Sequence, residues 1–424
     1  MGLLREALEA GQALNDLDAR IRFLAELGRR LHVAGVSASR LEGAVASVAR
    51  AIGVACEVLS TPTSLLFSLG DATAPNVQPQ TRVLRLEPGN TDLKALVILD
   101  RIAGQVIDGE LDIDAASAQM ATLDRPTSTR RTLANVAAFG LAAASVAGLL
   151  RTGWIDIGVA LVLGLLIGWL QLLSKTRPHF AAASEAVAAL VATTLATAFA
   201  HFVAPISLQT VIVAALVVLM PGLTLTTAVT ELATQQLVTG TTRVAGAMMT
   251  LLKLTFGSVA AAQLTRALGW VPEVTQGMGL PAWVEVGSAV IAAMSFAILF
   301  RASRRDVPLV MASAILGYVL VRVASGAPGL SGGTFAGGVF VASLVMAALA
   351  NLYGRVIDRP GSLVRVPGIM LLVPGSVGFR ALGAVMAKDY TLGLETLVAV
   401  LSALLALVAG LLFGSLFVPP RRHL

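Results

Sequence analysis

The chain has 424 residues, of which 56% are hydrophobic and only 13% are charged, and its formal net charge is +6. Soluble domains carry about a quarter charged residues, so this composition excludes a chain that is soluble throughout and is typical of helices packed in lipid. A single cysteine, Cys56, excludes an intrachain disulfide and a cysteine-based zinc cluster.

The charge is divided unevenly along the chain. Residues 1–124 carry 11 Lys and Arg against 16 Asp and Glu, whereas the remaining 300 residues carry 20 against 9. The positive charges of the second part stand singly or in pairs between apolar runs, which indicates membrane topology and argues against a nucleic-acid partner. The first 25 residues contain acids throughout and no apolar h-region. We therefore expect no cleavable signal peptide and a cytoplasmic N-terminal domain.

Residues 1–124 are predicted to form a small soluble α+β domain. Apolar residues at helical spacing predict a helix over 16–31 that Gly35 ends, and a second helix that Ser37 or Ser39 caps and Gly53 ends. Three β-rich stretches and two further helices follow, at 54–60, 64–69, 82–86, 92–107 and 114–123.

Beyond Arg131 the pattern changes to long apolar runs that predict an all-α polytopic membrane bundle. Each run is about 18–27 residues long, enough to cross a hydrocarbon core of about 30 Å. Ten spans are predicted, near 131–150, 155–173, 182–204, 207–226, 241–267, 283–300, 306–324, 333–353, 364–385 and 393–417.

The charges in the connecting segments predict the orientation of these spans. With the N-terminal domain inside, the inner segments hold 14 Lys and Arg and the outer segments hold 5, with Lys253 inside a span. This bias follows the positive-inside rule and predicts ten crossings with both termini in the cytoplasm.

An internal repeat divides the membrane part into two units, 125–275 and 276–424. A shift of 153 residues superimposes the ten spans in five pairs, and it places Pro221-Gly222 on Pro374-Gly375 and Gly240 on Gly393. Because each unit has an odd number of crossings, the second must enter the membrane from the opposite side. The sequence therefore predicts two inverted five-helix repeats.

A Pro-Gly pair interrupts the fourth span of each unit. Proline removes a backbone donor and glycine permits unusual dihedral angles, so the helix should break or kink there. Broken helices at matching positions of inverted repeats commonly form a substrate site near the bilayer midplane. The predicted substrate-binding residues are Pro221, Gly222, Thr224, Thr226, Thr227, Pro374, Gly375, Ser376 and Arg380. The alternative is that each pair only bends a packed helix, and that the threonines bond carbonyls of their own helix.

Two ionisable residues are candidates for ion coupling. Lys253 lies about twelve residues into its span, where a charge is costly and usually functional, and Glu231 is interpreted as its partner or as a proton carrier. A merely structural ion pair is the alternative. The Gly-rich stretch at 326–338 lacks the ending of a phosphate loop and is predicted to serve tight packing or to line a pore.

The soluble domain shows no catalytic pattern. His32, Arg40, Glu42, Cys56 and Thr63 carry reactive or polar groups, but their spacing matches no zinc site and no known nucleophile motif. We therefore predict no metal and no cofactor, and we expect that the chain is not an enzyme.

Four segments together resemble the threonine/serine exporter family. They are AGVSASRLEGAVASVARAIG, STPTSLLFSLG, LMPGLTLTTAVTELATQQLVTGTTR and, in a second membrane module, VPGIMLLVPGSVGF. The resemblance covers nearly the whole chain. The soluble-domain positions that recur in the family fall here on Gly35, Arg40, Glu42, Gly53, Pro62 and Thr63.

This resemblance implies proton-coupled efflux of small hydroxy-amino acids, threonine and serine, by a secondary exporter of the bacterial inner membrane. Its implied partners are the substrate, protons and the lipid bilayer, and a homo-oligomer is left open. Some relatives carry the two modules on separate chains, and one such pair is implicated in export of the dicarboxylate succinate, which is the first alternative. The second is a membrane-anchored enzyme with a catalytic N-terminal domain, and the third is a soluble domain that gates transport.

Overall fold

A computed structural model describes residues 2–72, 79–124, 128–275, 279–327, 334–373 and 375–420. The soluble domain combines four helices and three strands. These are α1 (Gly2–Val33), α2 (Ala38–Ala51), β1 (Val54–Thr61), β2 (Ser64–Asp71), β3 (Gln80–Arg85), α3 (Leu93–Ile107) and α4 (Ile113–Ala121). The small β-sheet predicted near the N-terminus is confirmed. The first helix begins earlier than expected, because its periodicity is clear only after residue 16.

The three strands form an antiparallel sheet in the order β1-β2-β3. Along β2, Leu65, Phe67 and Leu69 are fully buried and alternate with more exposed residues, so one face of the sheet covers the helices. Gly35 and Gly53 end the first two helices with φ of +77° and +72°, a conformation that glycine adopts without steric cost.

The rest of the chain is almost entirely helical. Among the described residues, nine segments are long and apolar enough to cross a membrane, and a bent pair makes a tenth. The helices are α5 (Thr129–Leu149), α6 (Trp154–Ser174), the short α7 (Pro178–Ala181), α8 (Ser184–Phe202), α9 (Leu208–Leu216), α10 (Gly222–Ala233), α11 (Leu237–Ala267), α12 (Ala282–Leu299), α13 (Val307–Ser325), α14 (Phe335–Ile357), α15 (Ser362–Met370), α16 (Gly375–Met386) and α17 (Tyr390–Phe417).

The fourth span of each predicted unit is interrupted. In the first, α9 passes through a 3-10 turn (Val217–Leu219), and the chain bends by 58° before α10. Since Pro221 has no N–H and the Gly222 N–H bonds back to the Met220 carbonyl at 2.8 Å, the regular hydrogen-bond ladder stops there. In the second, α15 ends at Met370 and α16 begins at Gly375. Pro374 itself lies outside the described residues, as do residues 328–333 of the Gly-rich stretch.

Close helix approaches recur at the offset of 153 residues. A Cβ built on Gly240 would lie 2.7 Å from Cγ of Leu232, and one built on Gly393 would lie 2.6 Å from Cγ2 of Val385. A second pair repeats at the same offset: Gly257 against Ala186, and Gly410 against Phe340. These four positions therefore admit only glycine without rearrangement. Helix α11 packs closely against α10 and α8 at these glycines, and α17 packs in the same way against α16 and α14.

The soluble domain lies on one end of the helix bundle. It contacts the first turn of α11, where Thr239 Oγ1 donates to the Ser60 carbonyl at 2.8 Å. It also contacts the end of α12, where the Leu93 N–H donates to the Phe300 carbonyl at 2.9 Å. The end of α5 is joined to the start of α12, because the Arg151 side chain donates to the Leu280 carbonyl at 2.6 Å.

Candidate functional site

The two interrupted segments meet at their glycines. A Cβ on Gly375 would lie 3.1 Å from Cα of Gly222 and 3.2 Å from its nitrogen, and a Cβ on Gly222 would strike Val373. Both glycines are buried. The sequence placed these positions at equivalent points of a repeat, and the structure brings them into contact.

This contact joins the N-terminal ends of two helices, because α10 begins at Gly222 and α16 begins at Gly375. Helix N-termini carry unpaired N–H groups and a partial positive charge, and together they suit an anionic group such as a carboxylate. Ser376 is half-buried in the first turn of α16, and Arg380 is exposed about one turn further along. Thr224 is exposed in the first turn of α10.

The other threonines of α10 bond within their own helix. The Oγ1 atoms of Thr226 and Thr227 donate to the carbonyls four residues earlier, of Gly222 at 3.2 Å and Leu223 at 2.9 Å. This is the arrangement that the packing alternative anticipated. Each hydroxyl keeps a lone pair that can accept a further hydrogen bond.

Glu231 lies in the last turn of α10 and its side chain is only 2% exposed. One carboxylate oxygen lies 3.0 Å from Nε of Arg243 on α11, and the other accepts the Ala38 N–H at 3.2 Å. Glu231 therefore faces the soluble domain. The interpretation of Glu231 as the partner of Lys253 was wrong.

Lys253 has its own partners, Glu185 at the start of α8 and Ala182 just before it. Its Nζ lies 3.6 Å from Glu185 and donates to the Ala182 carbonyl at 2.9 Å. The Lys253 and Glu185 side chains are about a third exposed, so this ion pair is more exposed than the Glu231–Arg243 pair. The long lysine stem reaches from its place in α11 to the beginning of α8, which satisfies the charge without a deep burial.

The contact between residues 32–62 and 231–243, here called the domain junction, is a polar network that the sequence did not predict as a unit. Glu42 accepts the Ser60 N–H at 2.8 Å and the Gln236 side-chain amide at 3.3 Å. The His32 ring lies 3.1 Å from the Pro62 carbonyl. The available signal was that Glu42 and Pro62 recur in the family, although neither residue carries an enzymatic motif.

The soluble domain holds perturbed groups that do not form a catalytic set. Burial lowers the pKa of His32, and the positive charge of Arg243 adds to this effect. Burial raises the pKa of the Cys56 thiol to about 11, so the thiolate nucleophile is scarce at neutral pH. Within the described parts of the chain, no group of three or more His, Cys, Asp or Glu residues could hold a metal ion.

Apolar crossings in this number, with two interrupted segments that meet among them, are the architecture of a polytopic membrane transport protein. The chain belongs to the threonine/serine exporter family. The family described as "Putative threonine/serine exporter" matches residues 22–265, and the one described as "Threonine/Serine exporter, ThrE" matches residues 285–417.

Similar proteins occur in bacteria and yeasts. The "Probable threonine/serine exporter" of Mycobacterium tuberculosis is 29% identical, covering 87% of this chain and 70% of that protein. "Pheromone-regulated membrane protein 10" of Debaryomyces hansenii and its namesake in Eremothecium gossypii are each 24% identical over 86% of this chain. This chain spans 37% and 49% of those two yeast proteins. No solved structure matches.

Proposed function

We propose that the chain is a secondary active exporter of threonine and serine, driven by protons and working by alternating access. The units 125–275 and 276–424 would be inverted repeats that move against each other around the contact of their broken segments. Family membership supports the exporter class. Two observations support the inverted arrangement. The close glycine contacts repeat at the offset of 153 residues. The soluble domain contacts both the start of α11 and the end of α12, which the predicted ten-span topology places on the same side of the membrane.

The observation that carries this proposal is the meeting of two helix N-termini at Gly222 and Gly375. The carboxylate of an amino acid would bind the free N–H groups of α10 and α16, with Arg380 beside them. The substrate hydroxyl would bond Thr224, Thr226, Thr227 or Ser376.

Coupling would use the two ion pairs of α11. Protonation of Glu231 would remove its electrostatic attraction for Arg243. It would also weaken the domain junction, because the Glu231 carboxylate accepts the hydrogen bond of the Ala38 N–H. The Lys253–Glu185 pair would respond to the relative position of α8 and α11. We further propose that residues 1–124 lie in the cytoplasm, that both termini lie on that side, and that the membrane is a bacterial inner membrane.

The test is transport by the purified full-length chain in liposomes with an imposed pH gradient. We expect labelled threonine to move against its concentration gradient, serine to compete, and a protonophore to abolish accumulation. Stronger competition by succinate than by serine would indicate that the substrate is a dicarboxylate and not a hydroxy-amino acid. Threonine flux that is indifferent to the pH gradient would remove proton coupling, and absence of any flux would overturn the proposal.

A further inference from the structure

An apolar groove runs along the outer surface of the bundle between α13 and α14. It has a volume of about 410 Å³, which lies within the range of about 300–1,000 Å³ typical of ligand sites. Its walls are Leu309, Ala312 and Leu316 on α13 and Leu349, Leu352 and Val356 on α14. The groove thus has the length of about two helical turns and offers almost no polar partner to an occupant.

One end of this groove is strongly basic. Arg304 and Arg305 are exposed immediately before α13 begins, and Arg355 is exposed in the last turn of α14. Leu309 and Val356, which line the groove, lie within about one turn of these arginines. The arginines stand at the end of the bundle that carries the soluble domain, because Arg301 pairs there with Asp92 at 3.1 Å.

A fourth arginine is fixed at the same end. Arg359 lies 2.8 Å from the buried Asp306 and beside the hydroxyl of Tyr353, which itself lines the groove. Asp306 also accepts a hydrogen bond from Ser303 at 2.6 Å. Two acids accompany these arginines along the chain: Asp306, which pairs with Arg359, and Asp358. Four arginines against two acids give this end of the groove a net positive charge.

We propose that this groove and its arginines form a binding site for one anionic phospholipid of the leaflet on the soluble-domain side. An acyl chain would fill the groove, and the headgroup phosphate would bind Arg304, Arg305 and Arg355. Basic pockets between helices at a membrane surface select acidic headgroups, while the apolar groove explains why a lipid rather than a free anion binds. Neither Gly222 nor Gly375 lines the groove, and the inference does not depend on the transported substrate.

The test is lipid retention by the full-length chain. The protein is reconstituted in nanodiscs of equal parts phosphatidylcholine and phosphatidylglycerol, extracted in mild detergent, and its bound lipids are counted by native mass spectrometry. We expect one phosphatidylglycerol to be retained in preference to phosphatidylcholine. The R304Q/R305Q variant should lower that preference by about fivefold or more, since each surface cation adds to the attraction.

Three further variants separate the groove from general surface charge. Ala312→Trp should fill the groove and abolish lipid retention. Ala262→Trp and Arg266→Gln are the controls, because both residues lie near the C-terminal end of α11 and neither lines the groove. Both should retain the lipid as the wild type does. If Ala312→Trp fails to fold, the exposed arginine pair carries the test alone. Equal retention of the two lipids by the wild type, or unchanged retention in R304Q/R305Q, would overturn the proposal.

Discussion

Gly222 and Gly375 touch through their backbones, although 153 residues separate them in the chain. Each residue is the first of its helix. A Cβ on Gly375 would lie 3.1 Å from Cα of Gly222, and a Cβ on Gly222 would lie 2.6 Å from Cγ1 of Val373, so neither position has space for a side chain. A contact of this kind fixes the two interrupted segments at a distance that any larger residue would increase.

We predict that Gly375→Ala lowers threonine transport at least about tenfold without removing the protein from the membrane. The new methyl would lie 3.1 Å from Cα of Gly222, which is backbone and cannot move as a side chain can. Overpacking of this kind costs about 1–3 kcal/mol. Initial rates of labelled threonine uptake into liposomes, normalised to protein, measure the effect.

The matched control is Gly383→Ala, two turns later in the same helix. No atom lies within 4 Å of a Cβ built at Gly383, so this variant should transport as the wild type does. Normal transport by Gly375→Ala would contradict a tight contact at the break.

Glu231→Gln should destabilise the protein by about 3–5 kcal/mol, because it leaves the largely buried Arg243 guanidinium without its charge partner. The amide oxygen can still accept the Ala38 N–H. Thermal unfolding in detergent gives the stability, and liposome flux gives the activity.

Glu185→Gln provides the comparison. It breaks the more exposed pair with Lys253, which should be worth only about 0–1 kcal/mol. If the two variants lost equal stability, the burial of the Glu231–Arg243 pair would not be the cause.

Much of the fold follows from local patterns. Ten apolar runs, the Pro-Gly breaks and the alternation in β2 are each legible in the sequence, because helix length, backbone donors and sheet faces are local properties. The partners of Glu231 and Lys253 are not. Arg243 and Glu185 were both visible in the sequence, but only the packing of α10, α11 and α8 decides which acid meets which base.

The domain junction should weaken in acid because of His32. Its pKa is lowered in the folded protein, so a released or unfolded chain takes up a proton first, near its ordinary pKa of about 6.5. Stability that is present above this pH is therefore lost as pH falls through 6 toward the lowered pKa. Hydrogen exchange of residues 32–62 between pH 8 and pH 5 measures the loss.

His32→Gln should flatten that pH dependence while leaving exchange at pH 8 close to wild type, since glutamine can donate to the Pro62 carbonyl. The same acid-induced exchange in this variant would assign the effect to another group.

Cys56 should react slowly with thiol reagents. With its pKa raised to about 11, the reactive thiolate stays a minor species at pH 8, and the reaction rate should still be rising at pH 10. Timed alkylation followed by mass spectrometry measures this. Ala55→Cys in a Cys56→Ser background places a thiol on the exposed side of the same strand and should react faster; equal rates would contradict the shift.

Thr227→Val should abolish threonine efflux if its hydroxyl contacts substrate, whereas Thr227→Ser, which keeps the hydroxyl, should retain it. The loss of the helix bond to the Leu223 carbonyl alone should cost little, because such bonds slightly destabilise helices. Normal efflux by the valine variant would remove Thr227 from the mechanism, and comparison of the amounts of each variant in the membrane fraction controls for folding.

The soluble domain is tethered at two places, through Ser60 to Thr239 in one half of the membrane part and through Leu93 to Phe300 in the other. In the alternating access that we propose, these two contacts would limit how far the halves can separate on the side of the soluble domain. A larger movement would have to break one of them, so the soluble domain would set the amplitude of that movement.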